Sequence, residues 1–430
     1  MKRPAPRLGR AAAALAVVPV LVLSACGSSS SSGSAGSGSS SNTTTANESA
    51  KGPYTFLYSG DFTGATQTYT QAEVAGLKIA ASEINAKGGI LGRQINIVTD
   101  NDQNDPTTAV NLLEQKLSSG TKIDAMYPGG SSEVTQALLP ITTRNKILTV
   151  DATSDPTLNN PSKFPYHFGD SESVAQTIPP FVKLAQSKGW KKVAVIYGND
   201  TTGQAVQSGY ASALKKVGVD TVTAAYQDSS LDMTPQLSSL QSNHPDALII
   251  SSYGVPSIYV IKSRAQMGWF STPAYGDLIT SAMPLAKLLP PAALKNYFAQ
   301  ASVTTLASNA DAAKDPALQR MISDAKAMGY SAQLSGVGAG LLGVGFNVLE
   351  LINYAAVQAH STDGPTVAKA LEHLKQPSGP YPPWVVYFGK YGGFKFTTSN
   401  HFPTVNVANF AYVPPGNNNA DGLLVPGTGS

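Results

Sequence analysis

Cysteine and histidine are scarce in this chain. Among its 430 residues it has a single cysteine, Cys26, and only five histidines. One thiol cannot form an intrachain disulfide, so we expect the hydrophobic core alone to stabilise the fold. No two histidines have the spacing of metal ligands on a helix, and we therefore expect no metal site.

A surplus of one charge is also absent. The chain carries 30 Lys and Arg residues against 27 Asp and Glu residues. Four of the basic residues precede Cys26, so the rest of the chain is close to neutral. No basic block supports electrostatic binding to nucleic acid or to a membrane surface, and we expect no nucleic-acid partner.

Catalytic motifs are equally scarce. Residues 338–343 match G-x-G-x-x-G, but no clear strand precedes them, so the pattern favours glycines at close-packing positions over a dinucleotide site. The carboxylates look dispersed along the chain, and no nucleophile is placed beside a base. We therefore predict that the protein is not an enzyme and needs no cofactor.

The N-terminus has the features of a signal peptide. Four basic residues precede an apolar stretch at residues 11–23, which is too short to span a bilayer comfortably. The small residues that follow and Cys26 are similar to the lipobox of bacterial lipoproteins. That likeness implies that residues 1–25 are removed and that Cys26 carries fatty-acid chains such as palmitate. It implies an anchor at the extracytoplasmic face of the cell membrane.

Residues 26–52 are predicted to be a flexible tether. After the cysteine they are almost entirely Ser, Gly, Thr and Asn, a composition with nothing to bury. Such a segment would hold a folded body away from the membrane.

From residue 53 onwards, short apolar runs alternate with helical patterns. Residues 69–87 repeat apolar side chains at three- and four-residue steps, which predicts a helix with one buried face. Residues 192–197, KVAVIY, are typical of a strand that is covered on both faces. A second series of this kind begins after Tyr166. The pattern predicts an α/β fold with parallel sheets in two lobes.

Three predictions concern the later part of the chain. Residues 337–360 predict one long helix, which we interpret as a core helix rather than a membrane span because polar residues recur along it. Residues 384–413 are rich in aromatic and β-branched residues and predict strands. The segment from residue 414 is rich in Pro, Gly and Asn, which predicts a loose tail.

One stretch resembles a known family. Residues 80–93, AASEINAKGGILGR, closely resemble the A-x-x-x-I-N-A-x-G-G-I-x-G stretch of type I periplasmic binding proteins. The match continues through IVTDND at residues 97–102. The group concerned is the leucine/isoleucine/valine-binding family that serves ABC importers. The likeness is densest over residues 54–156 and continues more thinly to about residue 413.

The resemblance implies two Rossmann-like lobes that close on a ligand through a hinge of several crossings. Lobe one would consist of residues 53–168 and 298–377, and lobe two of residues 169–297 and 378–415. The crossings would lie near residues 166–170, 297 and 376–382. Residues 416–430 would form the loose tail.

The first candidate site residues follow two predicted strands. Ser132 begins a predicted helix, where free N–H groups and a hydroxyl suit a carboxylate, and Ser131 is the alternative one position away. Asp151, Ala152 and Thr153 follow the fourth predicted strand, at the edge where parallel sheets bind ligands. The resemblance implies that Ser132 and Thr153 hold the ligand and that Asp151 contributes backbone groups. Simple helix capping is the alternative interpretation of these hydroxyls.

Four further candidates complete the predicted site, three of them from the resemblance and Tyr253 from its position after a strand. Tyr69 aligns with an aromatic residue of the cleft, and Asp277 aligns with an acid that would pair with a ligand ammonium group. Tyr253 follows a lobe-two strand and would form a wall of the cleft. Amino-acid binders commonly carry tyrosine at the position of Thr202, so this smaller side chain leaves room for a larger or differently shaped ligand.

The predicted function is that of a lipid-anchored, monomeric solute receptor. It would capture an amino acid or a related carboxylate and deliver it to an ABC permease and ATPase complex. A ligand-sensing receptor for a membrane signalling protein and an exported enzyme are the alternatives. The sequence leaves open whether the ligand is an amino acid, an amide or an aromatic acid.

Overall fold

The computed structural model describes residues 47–153, 155–311, 314–375 and 392–428. The predicted signal peptide, Cys26 and most of the predicted tether lie outside the described residues. The described chain is built on two sheets with helices packed on their faces, which confirms the predicted α/β class with two lobes.

The first sheet has five parallel strands in the order β2-β1-β3-β4-β5. Its strands are β1 (Tyr54–Gly60), β2 (Ile95–Asn101), β3 (Ala125–Tyr127), β4 (Leu148–Asp151) and β5 (His167–Gly169). Alternate residues of β1 belong to two separate buried clusters, with Phe56 on one face and Leu57 on the other. Both faces of this sheet are therefore covered by helices.

The second sheet has six strands in the order β13-β10-β9-β8-β6-β7. Its strands are β6 (Lys192–Gly198), β7 (Asp220–Tyr226), β8 (Ala247–Ser251), β9 (Ala274–Gly276), β10 (Tyr297–Ser302) and β13 (Phe410–Val413). All neighbouring pairs are parallel except β10 and β13. We call the body around the first sheet lobe one and the body around this sheet lobe two.

Helices connect the strands within each lobe. They are α1 (Gln67–Ala86), α2 (Pro106–Ser118), α3 (Ser132–Arg144), α4 (Val174–Lys188), α5 (Thr201–Lys215), α6 (Thr234–Gln241), α7 (Pro256–Gln266), α8 (Leu278–Ser281), α9 (Leu285–Leu288), α10 (Pro316–Ala327), α11 (Ser331–Val337), α12 (Ala339–Ala359) and α13 (Gly364–Glu372). Local sequence fixes several helix starts. Asp105 caps α2 by accepting a hydrogen bond from the Thr108 N–H, and Pro106 occupies the first turn.

The long apolar helix α12 packs against α1 in the core of lobe one. A side-chain carbon on Gly345 would lie 1.9 Å from the backbone oxygen of Glu73, and one on Gly76 would lie 1.9 Å from that of Leu342. The two backbones therefore touch where they cross. By length and composition α12 could cross a membrane, but two thirds of its most apolar window is buried inside the protein.

The predicted single helix over residues 337–360 is wrong at its start. Gly338 has a φ of 97°, which ends α11 and separates it from α12. The apolar pattern continues through Gly338, so the periodicity does not reveal the break. The signal in the sequence is the glycine itself, because glycine can adopt a positive φ. The closest helix contact is made by Gly345, which lies outside the G-x-G-x-x-G match.

Two of the predicted crossings between the lobes lie at other residues in the structure. Strand β10 was expected to begin the return to lobe one, but it pairs with β9 and β13 in the second sheet. The chain returns to lobe one only after Ser302, because α10, α12 and α13 contribute to the lobe-one core. Phe394 and Phe396, expected in lobe two, also belong to that core.

The prediction of strands over residues 384–413 is mostly wrong within the described residues. Only β11 (Gly392–Gly393), β12 (Thr404–Val405) and β13 form there, and the first two form a small separate sheet. Residues 384–391 lie outside the described residues. Three of the aromatic residues in the described part, Phe394, Phe396 and Phe402, are buried in the core from loops.

Both ends of the folded body extend further than predicted. Glu48, placed in the tether, is buried and accepts hydrogen bonds from the N–H and hydroxyl of Thr362. The tail expected to be loose forms a hairpin of β14 (Asn417–Asn418) and β15 (Leu424–Val425). Leu423 beside it is 5% exposed and packs into the lobe-one core, so burial of apolar surface holds the hairpin in place.

Candidate functional site

A cavity of about 350 Å³ lies between the two lobes. Its walls include residues that follow the carboxyl ends of β3, β4 and β5 in lobe one and of β6, β8 and β9 in lobe two. This edge is where open parallel sheets bind ligands. Six predicted site residues line it, namely Tyr69, Ser131, Ser132, Ala152, Thr202 and Tyr253.

The start of α3 points into this cavity. Ser131 is the N-cap and accepts a hydrogen bond of 3.4 Å from the Val134 N–H. Ser132 is the first helical residue, and its buried hydroxyl lies 2.8 Å from that of Thr153. The first N–H groups of a helix have no partner within the helix, so this end suits a negatively charged or polar group.

Asp151 and Thr153 stand behind the cavity wall rather than in it. Both are fully buried. The Asp151 carboxylate accepts hydrogen bonds from the Thr135 hydroxyl at 2.9 Å and from the Thr153 N–H at 3.1 Å, and it lies 3.2 Å from Nε2 of His167. These contacts fix the loop after β4, so that Ala152 faces the cavity and Thr153 holds the hydroxyl of Ser132.

Direct hydrogen bonds connect the two lobes at the cavity. The Thr202 hydroxyl donates to Oγ of Ser132 at 3.0 Å. The N–H and hydroxyl of Thr201 donate to Oε1 of Glu133 at 3.2 and 3.3 Å. The start of α5 is thereby held against the start of α3, and the lobes are closed on each other in this structure.

Two tyrosines, one from each lobe, form another part of the wall. Tyr69 lies on α1 and Tyr253 follows β8, and their rings are stacked with centroids 5.0 Å apart. Both rings line the cavity. They present an aromatic surface to anything bound between the lobes.

Asp277 does not line the cavity. Its carboxylate caps α8 and accepts hydrogen bonds from the N–H and the hydroxyl of Thr280 at 2.9 and 2.8 Å. Burial raises its pKa above the usual value, and these hydrogen bonds oppose that change. In this structure Asp277 therefore acts as a helix cap. Its pairing with a ligand ammonium group, which the resemblance implies, stays a prediction.

Two of the cavity carboxyl groups that the sequence reasoning missed are deeply buried. Glu73, on α1, is 3% exposed and accepts a hydrogen bond of 2.7 Å from the Tyr58 hydroxyl. Burial raises the pKa of Glu73 to about 7, and the negative charge of Asp151 adds to the effect. Asp170 is fully buried just after β5, and burial raises its pKa well above the usual value, helped by Asp151 and Glu73.

The interpretation of the carboxylates as dispersed is therefore wrong. Glu73, Asp151 and Asp170 interact electrostatically with one another although they are far apart in the sequence. Two features of the sequence could have identified Glu73 and Asp170 as site residues. Glu73 lies on the buried face of an amphipathic helix, where a charge is unusual, and Asp170 follows a parallel strand at the ligand-binding edge.

The cavity as a whole is acidic. Glu133, Glu172, Asp200 and Asp228 also line it, and burial raises the pKa of Asp228 to about 6. Within the part of the chain that the structure describes, no group of three or more His, Cys, Asp or Glu side chains is arranged to hold a metal ion. The hydroxyls, carboxylates and aromatic faces in the cavity wall suit a polar organic molecule.

Comparison with known proteins identifies the family. The periplasmic binding protein family matches the chain over residues 53–413. Leu/Ile/Val-binding protein homolog 7 of Brucella melitensis is 25% identical over 219 residues, which are 48% of this chain and 54% of that protein. The chain thus spans about half the length of the curated relatives it matches.

Solved structures share the fold. A leucine-binding protein from Thermotoga maritima has a TM-score of 0.68 at 16% identity, covering 84% of this chain and 97% of its own. A solute-binding protein of an ABC transporter from Rhodopseudomonas palustris, solved in complex with benzoate, has a TM-score of 0.68 at 16% identity, covering 87% and 98%. At this identity the likeness concerns the fold alone. Because the family match covers most of the chain, the protein belongs to the periplasmic binding protein family.

Proposed function

We propose that the protein is an extracytoplasmic solute-binding receptor of an ABC importer. The observation that carries the proposal is the cavity enclosed by both lobes, with a helix N-terminus, hydroxyls and aromatic rings in its wall. The family membership supports it, since the named relatives include Leu/Ile/Val-binding proteins. Binding without turnover is its role, and the chain acts as a monomer.

The mechanism is closure of two lobes on a ligand. Three passages of chain connect the lobes, after β5, after β10 and between β12 and β13. An open form exposes the cavity, and the ligand selects the closed form because it contacts both lobes. The closed form is then the one that the permease recognises.

The ligand is a small molecule of amino-acid size. Where the ligand has a carboxylate, this group lies at the start of α3, where Ser131, Ser132 and the first N–H groups receive it, and Thr153 orients Ser132 from behind. Tyr69 and Tyr253 cover its apolar part. Thr202 closes the cavity from lobe two.

The membrane anchor is a separate part of the proposal. Cys26 lies outside the described residues, so the proposed anchor is supported by the N-terminal sequence alone. Labelled palmitate should be incorporated into the expressed chain and lost in Cys26→Ala. A Cys26→Ala chain that still carries the label would contradict the anchor without touching the binding function.

Ligand binding is tested by a thermal-shift screen of the expressed chain. A ligand that binds only the folded state raises the melting temperature by mass action, so amino acids, small amides and aromatic acids should be compared. Hits are then titrated by calorimetry. Failure of every small molecule in a broad panel to shift the melting temperature would contradict the solute-binding function.

A further inference from the structure

Asp170 has an unusual environment for a charged side chain. It is fully buried, it lines the cavity between the lobes, and within the described residues neither of its carboxylate oxygens has a hydrogen-bond partner. A buried carboxylate without a partner is strongly unfavourable. In the closed form the Asp170 carboxyl group is therefore favourable only when a group in the cavity forms a hydrogen bond or an ion pair with it.

The surroundings of Asp170 make a cation the best partner. Glu73 and Glu172 line the same cavity and add to the negative potential at Asp170. Tyr69, Tyr226 and Tyr253 also line the cavity, and tyrosine faces attract cations. Carboxylates combined with aromatic faces are a common way of binding organic ammonium groups.

The described residues of the cavity wall carry little positive charge. Among the described lining residues Lys287 is the one basic side chain, against six carboxylates, and no arginine is present. The Lys287 ammonium group donates to the backbone oxygen of Ser335. Salt bridges inside the wall therefore do not neutralise the carboxylates, and the charge is left for the ligand.

We propose that the ligand carries an ammonium group, and that Asp170 binds it with support from Glu73 and the tyrosine faces. This inference rests on the proposed solute-binding function and specifies its ligand class. The anionic partner is Asp170, from the first crossing between the lobes, and not the helix-capping Asp277. A carboxylate is an optional second group of the ligand, received at the start of α3, so both amino acids and simple amines fit.

The same geometry excludes ligands that carry only a negative charge. A simple carboxylate would place a further anion among six carboxylates and leave Asp170 unpartnered. We therefore expect the protein to bind an amine and its amino acid, and to reject the acid of the same carbon skeleton.

The test is calorimetry of the expressed full chain with matched ligands. One set is L-leucine, 3-methylbutylamine and 4-methylpentanoate, which share an apolar part and differ in their charged groups. A second set is L-phenylalanine, 2-phenylethylamine and 3-phenylpropanoate. In the set that fits, the amino acid and the amine should bind at least about tenfold more tightly than the acid.

The outcomes separate this inference from the proposed function. A simple carboxylate that binds as tightly as its amine overturns the ammonium proposal and leaves the solute receptor intact. The same holds if amines fail and a neutral amide or sugar binds. If no small molecule binds, both proposals fail together.

A variant locates the binding group. Asp170→Asn should weaken the amine at least about tenfold and should not lower the melting temperature, since the amide replaces a buried carboxyl group that has no hydrogen-bond partner to lose. Asp363→Asn is the control, because it removes the same charge at an exposed helix cap outside the cavity wall. Equal amine affinity in Asp170→Asn and the unchanged chain would overturn the assignment of Asp170.

Discussion

At the scale of single residues, the buried carboxyl groups of the cavity make the stability of the chain depend on pH. Glu73 ionises near pH 7 in the folded protein and near its ordinary value of 4.5 in the unfolded chain. Between these values the folded state holds a proton that the unfolded state has lost. The free energy of unfolding therefore falls as the pH rises through this window, by about 3 kcal/mol for this group.

Glu73→Gln should remove that loss. The amide keeps the shape and can still accept a hydrogen bond from Tyr58, but it cannot ionise. We expect urea unfolding to give equal stability for the variant and the unchanged chain at about pH 4, and about 3 kcal/mol more for the variant at about pH 8. Glu114→Gln, in a half-exposed pair with Arg144, is the control and should change little at either pH. Equal stability at both pH values would show that Glu73 ionises normally.

A second residue-scale prediction concerns Thr153. Thr153→Ala removes the hydroxyl that holds Ser132, so the best ligand should bind about tenfold more weakly. Thr142→Ala changes a buried threonine of α3, the helix that Ser132 begins, whose hydroxyl donates to the Leu139 backbone oxygen; it should leave affinity unchanged. Calorimetry compares the two. Unchanged affinity in Thr153→Ala would place the ligand away from the start of α3.

Sequence alone could place Ser132 and Ala152 on the cavity because each follows a parallel strand. The same reasoning could not tell which side chains of the loop after β4 face inward, and Asp151 and Thr153 in fact lie behind the wall. Their orientation depends on Thr135 and His167, which are distant in the sequence. The role of these residues in binding stays a prediction.

At the scale of secondary structure, backbone meets backbone where α1 and α12 cross in lobe one. Gly345→Ala would place a methyl group 1.9 Å from the backbone oxygen of Glu73, which cannot move without moving α1. We expect a loss of about 3 kcal/mol in the free energy of unfolding, measured in urea. Gly336→Ala in α11 is the matched control, because no atom lies within 4 Å of the added carbon. A neutral Gly345→Ala would show that the helices can separate at no cost.

Most helix and strand positions could be predicted because the signals are local. The cap at Asp105 and the apolar run in β6 needed no knowledge of the fold. Membership of a sheet is a different matter, since it depends on distant partners. The sequence of β10 would suit a strand in either lobe. Its pairing with β9 is what assigns it to lobe two.

At the scale of the whole molecule, closure depends on a small number of contacts between the lobes. Thr202 donates to Ser132, Thr201 donates to Glu133, and the rings of Tyr69 and Tyr253 stack. Each contact exists only when the lobes meet. Because the ligand binds to the closed form, these contacts strengthen ligand binding. They contribute nothing to the stability of either lobe alone.

Thr202→Val tests this separation. The change keeps the shape of the side chain but removes the hydrogen bond to Ser132, worth about 1 kcal/mol. Ligand affinity should fall about fivefold, because the closed state is less favourable relative to the open state, while the melting temperature without ligand stays the same.

The control is Thr223→Val, on an exposed position of β7 away from the cavity, which should leave affinity unchanged. Small-angle scattering completes the experiment. At saturating ligand the radius of gyration of Thr202→Val should equal that of the unchanged chain, since the closed form is the same and only its population at a given ligand concentration differs. A larger radius at saturation would mean that Thr202 shapes the closed form itself. Unchanged affinity would mean that this hydrogen bond is replaced by water at no cost and that closure depends on the ligand and on the remaining contacts between the lobes, which include Thr201 with Glu133.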